Sequence, residues 1–248
     1  MWPFSKRSLL ADSHILYGLT DYHTHLLPGV DDGISSMGEA LEALSGLERH
    51  GVKRVWLTPH IMEDMPNTTP YLQARFRELK AAYRGTMELH LAAEYMLDNL
   101  FWERLTRNDL LPLEGNLLLV ETSCFNPTMD IEGVFESILS CGYYPVLAHP
   151  ERYSYMTMND LYRLKTAGVQ FQLNLPSIAG VYGKTIRIMA GKLLQKNLYD
   201  FIGTDTHSLS HFRHVNNTKI SIKRIQRLRV LAVLQQYNQF GIQRPADI

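Results

Sequence analysis

The stretch Asp21-Tyr22-His23-Thr24-His25, followed by Asp31-Asp32-Gly33, is the part of the sequence around which the fold can be predicted. In an extended segment alternate side chains point to the same face, so the imidazoles of His23 and His25 can converge on one ion. An isolated His-x-His pair is more often a strand that carries two surface histidines. The pair therefore indicates a metal site only if other parts of the chain supply further ligands.

Composition limits the class of protein. The chain has 248 residues, 45% of them hydrophobic, which is enough for a substantial core. Lys plus Arg equal Asp plus Glu at 25 each, so no net positive charge favours nucleic acid as a partner. Two cysteines, Cys124 and Cys141, are too few for a disulfide framework, and no apolar run is long enough to insert into a membrane. We expect a single cytoplasmic domain over residues 1–248 and leave its oligomeric state open.

Short apolar strands alternate with helices along the whole chain. The first strand is predicted at residues 15–21 and the last at residues 201–203, and helix caps are predicted at Thr69 and Asn159. Seven β-then-α units imply parallel strands with right-handed crossovers. The pattern predicts an α/β fold of the barrel type, in which the carboxyl ends of the strands meet at one mouth.

Histidines and carboxylates stand at the predicted strand ends. Together with one aspartate of the first loop, they give nine candidate ligands: His23, His25, Asp32, His60, Glu94, Glu121, His149, Asp205 and His207. Four are carboxylates, which would repel one another and take up protons if they were packed together without cations. Imidazole combined with carboxylate suits zinc, manganese or iron, and nine ligands are enough for two or three ions.

Seven motifs follow one another along the chain. They are Asp21-x-His23-x-His25, Asp31-Asp32-Gly33, Thr58-Pro59-His60, Ala92-Ala93-Glu94, Val120-Glu121-Thr122, Ala148-His149-Pro150-Glu151-Arg152 and Gly203-Thr204-Asp205-Thr206-His207. In this order they resemble the polymerase-and-histidinol-phosphatase (PHP) metal-dependent phosphoesterases, over residues 21 to about 213. Ala93 and Thr204 depart from the glycine and serine that are common there, but neither departure removes a ligand.

Three of the segments are more specific. Val30-Asp31-Asp32-Gly33, the His149 motif and Gln172-Leu173-Asn174 most resemble the bacterial protein tyrosine phosphatases that accompany capsule and exopolysaccharide tyrosine kinases. The resemblance implies a distorted seven-stranded (β/α)7 TIM-like barrel. It also implies manganese as the cofactor, in three ions, although zinc or iron can occupy such sites in a purified sample.

The resemblance also assigns the ligands. It implies one ion held by His23, His25, Glu94 and Asp205, a second by Glu94 as a bridge with Glu121 and His149, and a third by Asp32, His60 and His207. The implied reaction is hydrolysis of a phosphomonoester by a hydroxide that bridges the first two metals.

Two arginines are candidates for binding the phosphate. Arg152 lies three residues after His149, and Arg213 is expected to reach the site from a mobile loop. His207 or a metal-bound water can protonate the leaving group, and the sequence does not decide between them. A cysteine-based mechanism is excluded, because neither cysteine has an arginine six positions later.

Three functions remain open. The first is a manganese-dependent tyrosine phosphatase acting on the phosphotyrosine tail of a bacterial polysaccharide-biosynthesis kinase. The second is a small-molecule phosphatase similar to histidinol phosphatase, and the third is a module that binds metal or a phosphoprotein without turnover. The basic run from Lys219 to Arg229 is interpreted as the solvated face of an amphipathic helix.

Overall fold

The computed structural model describes residues 6–126 and 128–238, in which strands alternate with helices. The strands are β1 (Arg7–Leu9), β2 (Thr20–Thr24), β3 (Arg54–Leu57), β4 (His60–Ile61), β5 (Glu88–Leu91), β6 (Glu94–Met96), β7 (Leu117–Glu121), β8 (Tyr144–Ala148), β9 (Gln170–Asn174), β10 (Phe201–Gly203) and β11 (Lys219–Ser221). The helices are α1 (Met37–Arg49), α2 (Thr69–Ala82), α3 (Asn99–Arg107), α4 (Ile131–Ser140), α5 (Met158–Thr166), α6 (Leu175–Ala179), α7 (Lys184–Gln195), α8 (Leu209–Asn216) and α9 (Ile222–Asn238). Single 3-10 turns occur at Ala11–Ser13, Glu114–Asn116 and Pro150–Arg152.

The central strands are parallel. Six form a sheet in the order β10-β9-β8-β7-β6-β4, three form a second sheet in the order β2-β3-β5, and β1 pairs with β11 in an antiparallel ribbon. The two parallel sheets meet where the His23 carbonyl accepts the amide of Asp205 (2.8 Å) and the His25 amide donates to Thr206 O (3.1 Å). The predicted α/β fold with a curled parallel sheet is confirmed. The count of seven strands in one barrel stays a prediction.

Strands β3 and β5 are each followed closely by a second short strand. Thr58 and Pro59 separate β3 from β4, and proline cannot donate to a ladder. Ala92 and Ala93 separate β5 from β6, and their amides donate to Leu57 O and Leu111 O. Beyond these breaks β4 and β6 pair in parallel with His60 beside Glu94, so two candidate ligands become direct neighbours.

Some predicted boundaries are wrong. Residues 15–19 form turns, because Gly18 takes a left-handed conformation (φ 77°), and the strand begins at Thr20. Helix α2 is capped by Thr68 and not Thr69, and α5 is capped by Thr157 and not by Asn159. In each helix, the residue whose hydroxyl accepts a first-turn amide is the true cap.

The core has two parts. A large cluster of buried apolar side chains runs from Leu10 to Leu231 and includes the inward faces of the helices. A smaller cluster includes Leu117 and Leu119 of β7, which share a strand face with Glu121. The smaller cluster therefore forms an apolar floor beneath that carboxylate. Within the described residues, no helix is both long and apolar enough to cross a membrane.

Candidate metal centre

All nine predicted ligands lie in one cluster beside the carboxyl ends of the parallel strands. The strands supply His23, His60, Glu94 and Glu121, and the segments that directly follow strands supply His25, Asp32, His149, Asp205 and His207. The cluster is buried on one side and open on the other, since Glu94 is 1% exposed and Asp32 60% exposed at their side chains.

The two histidines of the opening motif face each other through their Nε2 atoms, which lie 3.0 Å apart. Nδ1 of His23 is 3.0 Å from Oε1 of Gln172, and Nδ1 of His25 is 2.8 Å from the Asp31 carboxylate. The Gln172 oxygen is identified because its amide nitrogen donates to Leu173 O. Both partners only accept hydrogen bonds, so both Nδ1 atoms carry protons and the neutral rings turn two lone pairs towards each other. A cation between them removes this repulsion.

Two carboxylates point at the same place. Glu94 Oε2 lies 3.0 Å from His23 Nε2 and 3.3 Å from His25 Nε2, and Asp205 Oδ1 lies 3.5 and 3.4 Å from the same two nitrogens. Burial disfavours the charged form of His23, but Glu94 and Asp205 outweigh it and raise the histidine pKa to about 9. Without a metal, protons therefore take the place of a cation in this cluster.

The surroundings of His60 independently indicate that a cation fits this cluster. Its Nδ1 is buried and has no hydrogen-bond partner, although it lies 3.2 Å from Glu94 Oε2 and 3.2 Å from Glu121 Oε1. The other oxygen of Glu94 lies 3.1 Å from His149 Nε2, which is 3.8 Å from Glu121. Glu94 thus faces different nitrogens with its two oxygens, and each oxygen would be available to hold a metal ion. The residues present fit divalent metal ions.

A third group stands at the open side, where His25, Asp32, His60 and His207 bring ligand atoms within 4.8 Å of one another. Asp32 Oδ1 is 3.6 Å from Nε2 of both His60 and His207. His25 also belongs to the His23 group, and His60 also belongs to a group with Glu94 and Glu121. The resemblance assigns each of these two histidines to one ion, whereas in the structure each lies within reach of two groups of ligands.

Asp31 supports the metal centre, although no role was predicted for it from the sequence. Its buried carboxylate accepts from His25 Nδ1, from the amide of Gly33 (3.0 Å) and from the amide of His60 (3.1 Å). Burial raises the pKa of this carboxyl, but His25 outweighs that effect and brings it to about 2. The turn requires Gly33, because a Cβ there would lie 2.2 Å from the His25 carbonyl oxygen. Asp31 thereby fixes the orientation of His25 and the position of His60.

Gln172 and Asn174 of β9 are further supporting residues without a predicted role. Gln172 orients His23 and accepts the amide of His149 (3.3 Å), and Asn174 Nδ2 donates to Asp205 Oδ2 (2.6 Å). The available signal was their place at the end of a strand between two ligand-bearing strands. Their motif was recognised in the sequence, but no role was predicted for them because amides are weak metal ligands beside imidazole and carboxylate.

Arg152 lies at the edge of the centre. Its Nη1 is 3.5 Å from Asp205 Oδ2, and its guanidinium lies over the Tyr182 ring at 4.8 Å from the ring centre. The Tyr182 hydroxyl donates to the same oxygen of Asp205 at 3.4 Å. The arginine side chain is 28% exposed, so part of its donor fork faces the open side.

Arg213 lies elsewhere than predicted. It belongs to helix α8 and not to a loop, so that part of the prediction is wrong. Its guanidinium is 67% exposed and forms a 2.8 Å ion pair with Glu42 of α1. Its role in binding phosphate stays a prediction.

His207 is held in one tautomer. Its Nδ1 donates to the Asp205 carbonyl at 2.9 Å, so in the neutral ring Nε2 has a lone pair that faces Asp32. Burial lowers the pKa of His207, and the nearby His25 lowers it further. This arrangement suits a metal ligand better than a group that must carry two protons.

Comparisons with known proteins find chains that are similar in sequence and in fold. The family model described as "Capsular polysaccharide synthesis, CpsB/CapC" matches residues 19–227. The chain is 28% identical over 200 residues to the putative tyrosine-protein phosphatase CapC of Staphylococcus aureus, covering 78% of each chain. It is also 28% identical over 201 residues to the tyrosine-protein phosphatase YwqE of Bacillus subtilis, covering 77% of this chain and 78% of YwqE.

A solved structure shares the fold. It comes from work on YwqE of Bacillus subtilis and CpsB of Streptococcus pneumoniae, described as unique metal-dependent tyrosine phosphatases. The TM-score is 0.72 at 24% identity, over 91% of this chain and 89% of the other.

Proposed function

Because this chain belongs to the CpsB/CapC family of capsular polysaccharide synthesis proteins, we propose that it is a metal-dependent protein-tyrosine phosphatase. The observation that carries the proposal is the buried pair of imidazole lone pairs, His23 Nε2 and His25 Nε2, faced by the carboxylates of Glu94 and Asp205. YwqE is named a tyrosine-protein phosphatase and CapC a putative one, which favours phosphotyrosine over a small phosphate ester.

The proposed cofactor is manganese, in three ions. The first would be held by His23, His25, Glu94 and Asp205, the second by Glu94, Glu121 and His149, and the third by Asp32, His60 and His207. When bound, the ions lower the pKa of water, orient the ester oxygens and neutralise the charge that develops during phosphoryl transfer. The unpartnered Nδ1 of His60 supports the presence of more than one ion.

The chain's own residues would bind and orient the substrate. The N–H groups of Arg152 that do not face Asp205 would donate hydrogen bonds to the phosphate. The Tyr182 ring packs against the guanidinium and limits the motion of the arginine side chain. The tyrosyl leaving group has a pKa of about 10, so it needs less help from an acid than an alkoxide does. We therefore propose His207 as a ligand and water at the open side as the proton source.

The proposed substrate is the phosphotyrosine tail of a bacterial tyrosine kinase of polysaccharide synthesis. A tail can reach this centre because the Asp32 side chain stands 60% exposed at its open side. We also propose that residues 1–248 act as one domain with a distorted seven-stranded barrel, in which β3 with β4 and β5 with β6 each count as one bent strand. The backbone bonds between β2 and the segment after β10 support that closure.

The test uses protein stripped of metal and then supplied with manganese. Released phosphate is measured with a phosphotyrosine peptide and with histidinol phosphate. We expect turnover that depends on manganese and favours the peptide. Preference for histidinol phosphate would move the function to small-molecule metabolism, and no turnover of either substrate would favour the non-catalytic binding module.

A substitution tests the metal mechanism directly. His149→Ala removes a nitrogen 3.1 Å from Glu94, so we expect turnover to fall at least about a hundredfold while the circular dichroism spectrum is unchanged. His90→Ala is the matched control, because His90 stacks on Trp56 outside the cluster. Equal turnover of the His149 variant and the parent protein would contradict the mechanism.

A further inference from the structure

Positive charge is concentrated in the last third of a chain whose net charge is zero. Residues 175–199 and residues 206–246 contain neither Asp nor Glu. The described parts of these segments form α6, α7, α8, β11 and α9, and α7 packs against α9. The acidic residues that balance the total charge therefore lie in other parts of the sequence.

Two adjoining cavities lie between these elements and β1, and each has a volume of about 260 Å³. Ile188 and Arg224 line both cavities, so the two form one continuous groove. We name this the basic groove after its charged lining residues, Arg7, Arg187, Lys192, Lys219, Lys223, Arg224 and Arg227. Part of the basic run that was interpreted as a solvated helix face thus lines a concave surface.

The charged side chains that line the groove are all cations in the part of the chain that the structure describes, because no carboxylate there lines either cavity. Arg224 donates to the Arg187 carbonyl at 3.4 Å, and partial burial together with the charges of Arg187 and Arg7 lowers its pKa. Like charges held together in a partly buried place cost free energy, which a bound anion would offset.

The groove is linked to the metal centre through the segment from Gly180 to Tyr182. The Arg187 side chain packs on Gly180, where a Cβ would lie 2.9 Å from Cδ of the arginine. Two residues later, Tyr182 contacts Asp205 and supports Arg152. From there the groove follows α7 as far as Gln195. A polypeptide that places one residue at the metal centre can therefore lay neighbouring residues along α7.

We propose that the basic groove binds an acidic or phosphorylated stretch of the polypeptide substrate that flanks the phosphotyrosine. This inference rests on the proposed function and adds a second contact site for the same substrate. Two cavities in series, with Ile188 and Ile220 among the cations, fit a chain that carries both anionic and apolar side chains. Among residues 6–126 and 128–238, no aromatic side chain lines either cavity to stack on bases, which argues against single-stranded nucleic acid.

The expected effect is on KM. A flanking segment held in the groove raises the local concentration of the phosphotyrosine at the metal centre without touching the reacting atoms. The contact is electrostatic, so added salt should weaken it.

The experiment compares three substrates. They are a phosphotyrosine peptide with Asp and Glu flanks on both sides, the same peptide with Asn and Gln flanks, and a small aryl phosphate. For the double variant Arg187→Gln/Arg224→Gln we expect kcat/KM of the acidic peptide to fall about tenfold, mainly through KM. The other two substrates should change less than about twofold, because they carry no charge to the groove.

Two further variants control for folding and for total charge. Lys219→Gln/Lys223→Gln removes two cations at the rim and should lower kcat/KM of the acidic peptide in the same direction. Lys53→Gln/Arg107→Gln makes the same change in net charge at exposed positions outside the groove and should behave as the parent protein. Equal losses in this control and in the groove variants would overturn the proposal.

Direct binding separates this proposal from the phosphatase function. An acidic peptide without phosphotyrosine is labelled, and its fluorescence anisotropy is followed with the metal-loaded parent and variants. Groove-dependent binding supports the proposal even if no peptide is hydrolysed, in which case the phosphatase function alone fails. Equal binding by the parent and the groove variants overturns it. Groove-dependent binding of anionic lipid vesicles, without binding of the peptide, also overturns it and points to a membrane surface.

Discussion

At the scale of single residues, the properties of the metal centre depend on groups that do not face a metal position. In their neutral forms, His23 and His25 present unprotonated Nε2 atoms because Gln172 and Asp31 hold their Nδ1 protons. Strand-end histidines and carboxylates are visible in the sequence, since their spacing follows the strands. Asp31 belongs to a sequence motif, but no role was predicted for it. A residue that accepts a hydrogen bond from a metal ligand has no fixed sequence distance from that ligand, so only the folded structure identifies it.

Asp31→Asn tests this dependence. The amide can no longer accept the Nδ1 proton of His25 as a charged partner, so we expect manganese affinity to fall about 10- to 100-fold while the fold is kept. Excess manganese should restore much of the turnover. Affinity is measured by titrating metal into stripped protein. Asp64→Asn, at an exposed turn, is the control, and equal affinities of the two variants would show that Asp31 has no such role.

At the scale of elements, the helices are stabilised by caps that can be tested one at a time. Thr157 and Asp160 form a capping box at the start of α5, with bonds from the Asp160 amide to the Thr157 hydroxyl (3.3 Å) and from the Thr157 amide to the Asp160 carboxylate (2.7 Å). Thr157→Ala should lower the free energy of unfolding by about 1 kcal/mol without changing kcat/KM. Urea unfolding measures the loss. Thr166→Ala in the same helix is the control, because its hydroxyl only bonds back to Tyr162 O. A loss as large in the control would refute the role of the cap.

The existence of most elements could be predicted, but their exact ends could not. Apolar periodicity marks a helix, whereas Thr157 and Asn159 are both acceptable caps by residue type, and only the folded geometry selects one. The breaks at Thr58-Pro59 and Ala92-Ala93 also follow from pairing with distant strands. The local sequence does not predict such pairing. Apolar and polar residues alternate in the same way in a strand that stays in one sheet and in a strand that passes from one sheet to another.

At the scale of the whole molecule, the first and last strands of the described chain pair with each other, which no local motif predicts. Strand β1 pairs with β11 through Arg7 and Ser221, which are more than two hundred residues apart in sequence. The same pairing brings Arg7 to the basic groove. The composition correctly gives a net charge of zero for the chain. A net charge contains no information on position, so it does not reveal that the fold gathers positive side chains in the basic groove.

The stability of the whole molecule should depend on pH in opposite ways with and without metal. In metal-free protein the pKa of His23 is about 9, against 6.5 for an ordinary histidine, so the proton it binds stabilises the fold below pH 6.5. That stability is lost as pH rises through about 9. Manganese needs the unprotonated imidazole, so its binding strengthens over the same range. At a free concentration about 100 times its Kd it adds about 2.7 kcal/mol to the free energy of unfolding.

We therefore expect the urea midpoints of the metal-free and manganese-loaded proteins to move apart between pH 6.5 and pH 8.5. The metal-free midpoint should fall, and the gap to the loaded protein should widen. His23→Gln removes the titrating ring, so its metal-free midpoint should depend less on pH than that of the parent protein. Parallel curves for the loaded and metal-free parent would mean that protons and manganese do not compete for this cluster, and the metal centre would have to be sought elsewhere in the chain.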